Sequence, residues 1–307
     1  MHRGRLAGRE VAIKVRHPGI VQALEADFAT ASVGPLVAAI LGGASRENIE
    51  SFVAEARTAM LEECDYVLEA ERQGRFGVWF ANHETLRIPA VVTDWCAETV
   101  LTTEFRPGLS LEAVLDAEAS VRDRIGEALF ELYVGTLYRH GSFHADPHPG
   151  NYGFSADGEV TVYDFGCVRT FDPATVRAVG RLVAAVRADA WPRIVEALVD
   201  VGAPAPSASA APMLRVLLRG LFAPLLAPGR HAIDPGHGFR ASTLLRDKRA
   251  LAGLRLPGKF LFRIRFGLYA VLARLGAVAD WAALEEGWAD ATAARPVSER
   301  SSNPSVR

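Results

Sequence analysis

The sequence predicts an α+β chain in two lobes, a small sheet lobe with inserted helices followed by a large helical lobe. Three observations carry this. Strand-like stretches are confined to the first half, and helical periodicity dominates everything after Asp172-Pro173. Between the two lies a Pro- and Gly-rich loop, Phe143 to Phe154, followed by a strand returning from a turn at Asp157-Gly158. A length of 307 residues suits about two such units, placed at 1–105 and 106–295, with a disordered Ser-rich tail over 296–307.

Composition narrows the function. Hydrophobic residues make up 50% and charged residues 23%, as in ordinary soluble globular proteins. A formal net charge of −2 gives no electrostatic case for nucleic-acid binding. Cys64, Cys96 and Cys167 are far apart and form no C-x-x-C pair, which argues against a disulfide framework or structural zinc and for a reducing, cytoplasmic setting. The N-terminus lacks the apolar run of a signal peptide. Val33 to Gly43 is only eleven residues, and Phe260 to Val278 is interrupted by Arg263, Arg265 and Arg274, so no transmembrane helix is expected.

Taken in order, Glu10 to Val15 alternates, with Val11, Ile13 and Val15 on one face and Lys14 on the other. Pro18-Gly19 ends this strand. Helices are expected over Ile20 to Leu41 and over Arg46 to Phe76, the second carrying Glu62-Glu63-Cys64-Asp65 and then Glu69. Ile88 to Trp95 and Thr99 to Phe105 read as strands, with a strand-like hinge between lobes near Leu101 to Phe105 that contains Glu104. A short helix follows near Glu112 to Leu115, then a long one over Glu118 to His140. After the loop come strands at Tyr152 to Phe154 and Val160 to Tyr163. Helices are then expected near 174–201, 212–226, 241–252, 257–277 and 280–293. Arg263 and Arg265 read as snorkelling side chains and Trp281 and Trp288 as core. This is the layout of a bilobal kinase-like fold.

The chemistry lies in three motifs. Val11-Ala12-Ile13-Lys14 sets a point cation on a rigid strand, which suits the α/β-phosphates of a nucleotide, although four residues taken alone favour a surface lysine on an edge strand. Asp146 and Asn151 have the Asp-to-Asn spacing of a kinase catalytic loop, with His144-Ala145-Asp146 where His-Arg-Asp usually stands. Asp146 would orient or deprotonate the acceptor, and Asn151 would bind a metal. Asp164-Phe165-Gly166 lies thirteen residues further on, at the end of a strand, and its carboxylate would bridge Mg²⁺ to the phosphates. Order and context together make the set specific where each part is not. Spacing does not choose the carboxylate that fixes Lys14, since Glu62, Glu63, Glu69 and Glu71 all compete. His140, His144 and His148 recur every four residues, but the prolines among them break any helix and remove the metal-site geometry.

With these residues laid out, the chain resembles the UbiB/AarF family of atypical kinase-like proteins. The specific marks are Glu63-Cys64-Asp65-Tyr66, similar to the family's E-x-D motif, then Glu69-Ala70, His144 to Asn151, Val162 to Gly166, and Leu256-Pro257. The resemblance implies Glu69 as the partner of Lys14, ATP and Mg²⁺ as cofactors, and Glu104 among the cofactor-binding residues. It also implies a role around isoprenoid quinone or related lipid metabolism, with lipid or quinone-pathway protein partners and peripheral membrane association. The family's K-x-G-Q motif and Ala-rich phosphate loop have no counterpart before Lys14. Three expectations follow from that difference: an uncovered edge at the Lys14 strand, exposed or metal-facing Glu63 and Asp65, and weak ATP binding by the chain as given. The leading reading is an atypical kinase or ATPase. The alternatives are a pseudokinase scaffold that binds a partner or lipid, and a kinase-fold phosphotransferase acting on a protein or small molecule.

Overall fold

The computed structural model describes residues 1–29, 60–236 and 259–294, with a few positions between 53 and 58. Three antiparallel strands build the first sheet: β1 (His2–Leu6), β2 (Arg9–Val15) and, from later in the chain, β4 (Val100–Glu104). Ala7-Gly8 joins the first two with φ of 47° and 81°, a left-handed pair that matches the strands' twist. β2 pairs on both sides, Val11 opposite Gly4 and opposite Glu104. The Lys14 strand is therefore central, and the expectation of an uncovered edge is corrected: His2 to Leu6 supplies the missing neighbour.

Helix α1 (Ile20–Ala29) follows. The single helix expected over Arg46 to Phe76 instead breaks. A helical turn ends at Glu62, and a new helix, α2 (Tyr66–Trp79), starts after Asp65. The Asp65 carboxylate accepts from Val67 N (3.1 Å) and Leu68 N (3.0 Å), a cap that competes with helix continuation. The strand expected over Ile88 to Trp95 does not form: β3 (Leu86–Arg87), just before it, pairs in parallel with Val160 and Thr161, while within the span Val91 makes a single bridge to Thr103 and Thr93–Trp95 is a short 3₁₀ turn. Pro89 has no N–H to give a ladder.

In the large lobe, α3 (Leu111–Val114) precedes α4 (Ala119–Phe130), which continues through a π turn (Glu131–Gly135) into α5 (Thr136–His140). Gly141 ends it at φ 63°, where an added Cβ would lie 2.8 Å from Phe171 O. Next come β5 (Ser142–His144), β6 (Tyr152–Phe154), β7 (Val160–Val162) and β8 (Val168–Thr170). β6 and β7 form the expected hairpin; the pairing of β5 with β8 brings the two ends of the site segment together.

The helix expected over 174–201 is two, α6 (Pro173–Arg187) and α7 (Trp191–Asp200), because Asp189 turns left-handed at φ 49° and Pro192 begins a fresh helix. α8 (Ala211–Leu221), α9 (Lys259–Leu275) and α10 (Trp281–Ala293) complete the lobe, with a two-residue pair of β9 (His231–Ala232) and β10 (Val278–Ala279). The helix expected at 241–252, the Leu256-Pro257 segment, the far half of Ile20 to Leu41 and the tail lie outside the described residues.

One core runs through the large lobe and under the site, with Phe76, Phe130, Tyr133, Phe143, Phe154, Phe165 and Trp281 fully buried. Trp281 is core as expected. Arg265 does not snorkel: it is 2% exposed, and its Nη1 donates to Glu285 Oε2 at 2.8 Å while Nη2 donates to Oε1. Tyr138 OH also donates to Glu285 Oε1 at 2.8 Å. A charge can sit this deep only when paired. Replacing Arg265 alone by Met should cost about 3–5 kcal/mol in denaturant melts, by leaving Glu285 buried and unpaired. Arg265→Met with Glu285→Leu should recover most of that loss.

Candidate active site

Lys14 reaches from the central strand between two carboxylates. Its Nζ donates to both oxygens of Glu69 at 2.9 Å and to Asp164 Oδ2 at 3.0 Å. Tyr66 adds a ring face 5.2 Å from the ammonium. Glu69 is 1% exposed and projects from the first turn of α2, so capping by Asp65 fixes its direction. Among the competing carboxylates, Glu69 holds Lys14. Glu62 instead accepts from Arg72 (2.7 Å) and Arg169 (2.6 Å).

The charges divide unevenly. Burial pulls the Lys14 ammonium down, but Glu69 and Asp164 outweigh it and hold the group well above its ordinary value, hence protonated. Burial pushes Asp164 up, yet Lys14 and the Gly166 N–H (3.0 Å to Oδ1) leave it below the usual carboxylate range. Glu69 lies above that range, through burial and the repulsion of Asp164.

Asp146 and Asn151 meet across their loop, with Asn151 Nδ2 donating to Asp146 Oδ2 at 2.7 Å. His148 tightens the turn by accepting from Gly150 N at 3.0 Å. His144 joins the two halves of the site. Its ring is fully buried, with Nε2 2.6 Å from Asp164 O and Nδ1 3.4 Å from Asp146 N. Since a carbonyl only accepts, Nε2 carries the proton and Nδ1 receives the Asp146 N–H. Burial keeps the imidazole neutral, its pKa below the ordinary value.

Sequence reasoning missed Tyr133, which the π turn sets beneath the loop. Its hydroxyl donates to Asp146 O at 2.8 Å, so Tyr152 must donate to the Tyr133 oxygen in their short contact. Tyr133, Arg72 and Glu62 carried no spacing signal, because their partners lie 10 to 107 residues away.

The remaining expected residues lie around this centre. Asp65 caps α2, and Glu63 is exposed with its Cα and Cγ 3.7 Å from where a Cβ on Gly166 would stand. Partial burial, with Asp164 and Asp146 nearby, pushes Glu63 up. Glu104 sits on β4 with its carboxylate 3.1 Å from Arg106 Nε, and its N–H donates to Ala90 O at 2.8 Å. For a cation, Asp164, Asn151 and Asp146 present hard oxygen donors of the kind magnesium takes. Among the described residues no group of three His, Cys, Asp or Glu side chains could hold a metal by itself. A magnesium ion shared between one or two carboxylates and phosphates needs no such group.

A lysine and helix glutamate pair, a His-x-Asp-x-x-x-x-Asn loop and an Asp-Phe-Gly turn on two lobes define a kinase-like protein. The ABC1 atypical kinase-like domain matches residues 1–198, and the chain belongs to that family. It is 28% identical over 229 residues to the Arabidopsis thaliana chloroplastic protein Activity of BC1 Complex Kinase 8, covering 71% of this chain and 30% of that protein. It is 30% identical over 210 residues to Activity of BC1 Complex Kinase 7 from the same plant, covering 65% of this chain and 29% of that protein. The chain thus spans about a third of the length of these relatives. A solved complex of the Mycobacterium tuberculosis protein Rv3197 with erythromycin is similar in structure, with a TM-score of 0.68 and 26% identity. The match covers 93% of this chain and 73% of that one.

Glu62 gives a pH-dependent prediction. Burial raises it, but hydrogen bonds and charge from Arg72 and Arg169 prevail and hold it below the usual range. Its stabilisation is therefore present above the unfolded value, about 4.3, and is lost as pH falls through the lower folded value. Glu62→Gln should cost about 1 kcal/mol at pH 7, discounted for partial exposure. In melts across pH the gap from wild type should close below about pH 4.

Proposed function

We propose that this chain is an atypical kinase or ATPase that uses Mg-ATP. The observation that carries the reading is the Lys14 ammonium held at 2.9 Å by Glu69 and at 3.0 Å by Asp164. A cation is thereby fixed where phosphates would lie, beside a carboxylate of lowered pKa. Lys14 takes the α/β-phosphates, and Glu69 holds Lys14 in place. Asp164 and the Asn151 amide oxygen hold Mg²⁺, which when bound neutralises charge on the β- and γ-phosphates.

Asp146 orients the acceptor hydroxyl or an attacking water and takes its proton. It is exposed, its loop is fixed by Asn151, Tyr133 and His144, and its side chain can face a substrate without moving the backbone. Glu104 on the inter-lobe strand is the candidate contact for the rest of the nucleotide. Glu63 and Asp65 carry the E-x-D positions at the rim, Asp65 as a helix cap. Residues 1–105 form the small lobe and 106–295 the large one.

The family resemblance supports a role in isoprenoid quinone or related lipid metabolism, in the cytoplasm and peripheral at a membrane surface. Among the described residues no helix is long and apolar enough to cross a membrane.

Thermal melts test the reading. Several millimolar Mg-ATP should raise the melting temperature; saturation at a hundred times Kd adds about 2.7 kcal/mol, several degrees for a protein of this size. Lys14→Met or removal of Mg²⁺ with EDTA should abolish most of the shift. Asp146→Asn should keep the shift and lose about 100-fold or more in phosphate release or transfer. No shift in the wild-type chain would sink the reading and favour a scaffold. An Asp146→Asn variant with full turnover would remove Asp146 from its role.

A further inference from the structure

Helix α2 grips all three residues of Asp164-Phe165-Gly166 from one face. Glu69, Arg72 and Phe76 stand at i, i+3 and i+7, so they line one side of the helix. Glu69 reaches Asp164 through Lys14. The Phe76 and Phe165 rings pack with centroids 5.0 Å apart. Arg72 Nη1 donates to Gly166 O at 2.6 Å.

That last contact is costly to keep. Arg72 is 7% exposed, and a buried guanidinium needs a counter-charge. Glu62 provides it: one oxygen, Oε2, accepts from Arg72 Nη2 at 2.7 Å and from Arg169 Nη1 at 2.6 Å. Arg169 lies on β8, three residues beyond Gly166. The turn is thus fastened at Gly166 directly and beyond it through Glu62. The loop before the turn adds a backbone bond, Ala145 N to Cys167 O at 2.7 Å, and the His144 Nε2 bond to Asp164 O at 2.6 Å, but no charged side chain on Gly166.

We propose that Arg72, neutralised by Glu62, is a positioning residue that holds the Asp164-Phe165-Gly166 turn with the Asp164 carboxylate facing Lys14 and the metal side. The clamp rests on the nucleotide reading for its purpose, but it predicts a turn conformation that is testable without nucleotide. Arg72 is suited to it by shape: one nitrogen of the planar guanidinium serves a carbonyl and another a carboxylate, a fixed two-nitrogen geometry that a lysine's single nitrogen does not reproduce.

The test uses the full chain and the variants Arg72→Gln, Arg72→Lys and Glu62→Gln, each first checked for native far-UV circular dichroism. Cys167, next to Gly166, reports on the turn. Burial pushes its thiol up to about 11, so it should react slowly with iodoacetamide. Peptide mass spectrometry at pH 8 should show Cys167 alkylated at least about fivefold faster in Arg72→Gln, with Cys96 as an unchanged reference. Loss of the arginine's charge alone would raise the thiol pKa and slow the reaction, so acceleration reports release of the turn.

In parallel, the Mg²⁺ concentration giving half of the Mg-ATP melting shift should rise about tenfold in Arg72→Gln, while half-saturating ATP at excess Mg²⁺ changes less than threefold. Arg72→Lys should recover little of either effect, and Glu62→Gln should follow Arg72→Gln; if Arg72→Gln does not fold, Glu62→Gln decides. A wild-type chain without any ATP shift defeats the nucleotide reading, and Cys167 then judges the clamp alone. Unchanged Cys167 reactivity overturns the clamp. A faster Cys167 with unaltered Mg²⁺ dependence in a nucleotide-binding chain overturns the positioning of Asp164.

Discussion

One ammonium between two carboxylates sets the frame on which the site depends. Glu69 is almost fully buried and could not remain there without Lys14 within hydrogen-bond reach. Lys14 in turn is fixed because β2 is paired on both sides, which leaves the strand no freedom to slide or twist away. Asp164 completes the group at the end of the β6–β7 hairpin. Sheet, helix and turn thus share a single electrostatic joint. Since one positive charge cannot cancel two negative ones, the joint keeps a surplus of negative charge on its more open side, at Asp164.

The large lobe holds the other half by a different principle, neutral hydrogen bonds from buried rings. His144 touches the backbone of Asp164 and of Asp146, and Tyr133 touches Asp146 from below. None of these groups carries charge: the histidine is kept neutral by burial, and the tyrosines are pushed well above their ordinary values by the same cause. A neutral frame contributes dipoles around Asp146 and Asp164 without adding counter-ions that would compete with Lys14. The aromatic contacts among Phe76, His144 and Phe165 tie this frame to α2, so the two lobes meet through ring packing as well as through Lys14.

How much of this was legible in the sequence follows from the range of the interactions. The hairpin, Lys14 on its strand, the loop with Asp146 and Asn151, and the Asp-Phe-Gly turn are local patterns, and their local structure stands as expected. What failed depended on distant partners or on single competing side chains. His2 to Leu6 covers β2, yet the strand was expected to be an edge. Asp65 breaks a helix whose apolar periodicity continues across it. Pro192 divides another. Arg265 shows the same limit: its immediate neighbours Ile264 and Phe266 are apolar, and the counter-charge that makes full burial tolerable comes from Glu285, twenty positions on and in another helix.

The segment from Glu62 to Glu69 makes the reason concrete. Its carboxylates at 62, 63, 65 and 69 have four different fates within eight residues. Glu62 balances two arginines, Glu63 lies exposed against Gly166, Asp65 caps a helix, and Glu69 holds Lys14. Helical spacing cannot sort them, because the cap at Asp65 resets the helical phase: positions before it belong to one turn and positions after it to another. Once Asp65 is taken as the start of α2, Glu69, Arg72 and Phe76 fall on one face by geometry alone. The carboxylate before the break is then left for the arginine after it, which is the pairing the structure shows between Glu62 and Arg72. A single capping hydrogen-bond pattern thus decides which acid meets the lysine and which acid steadies the turn.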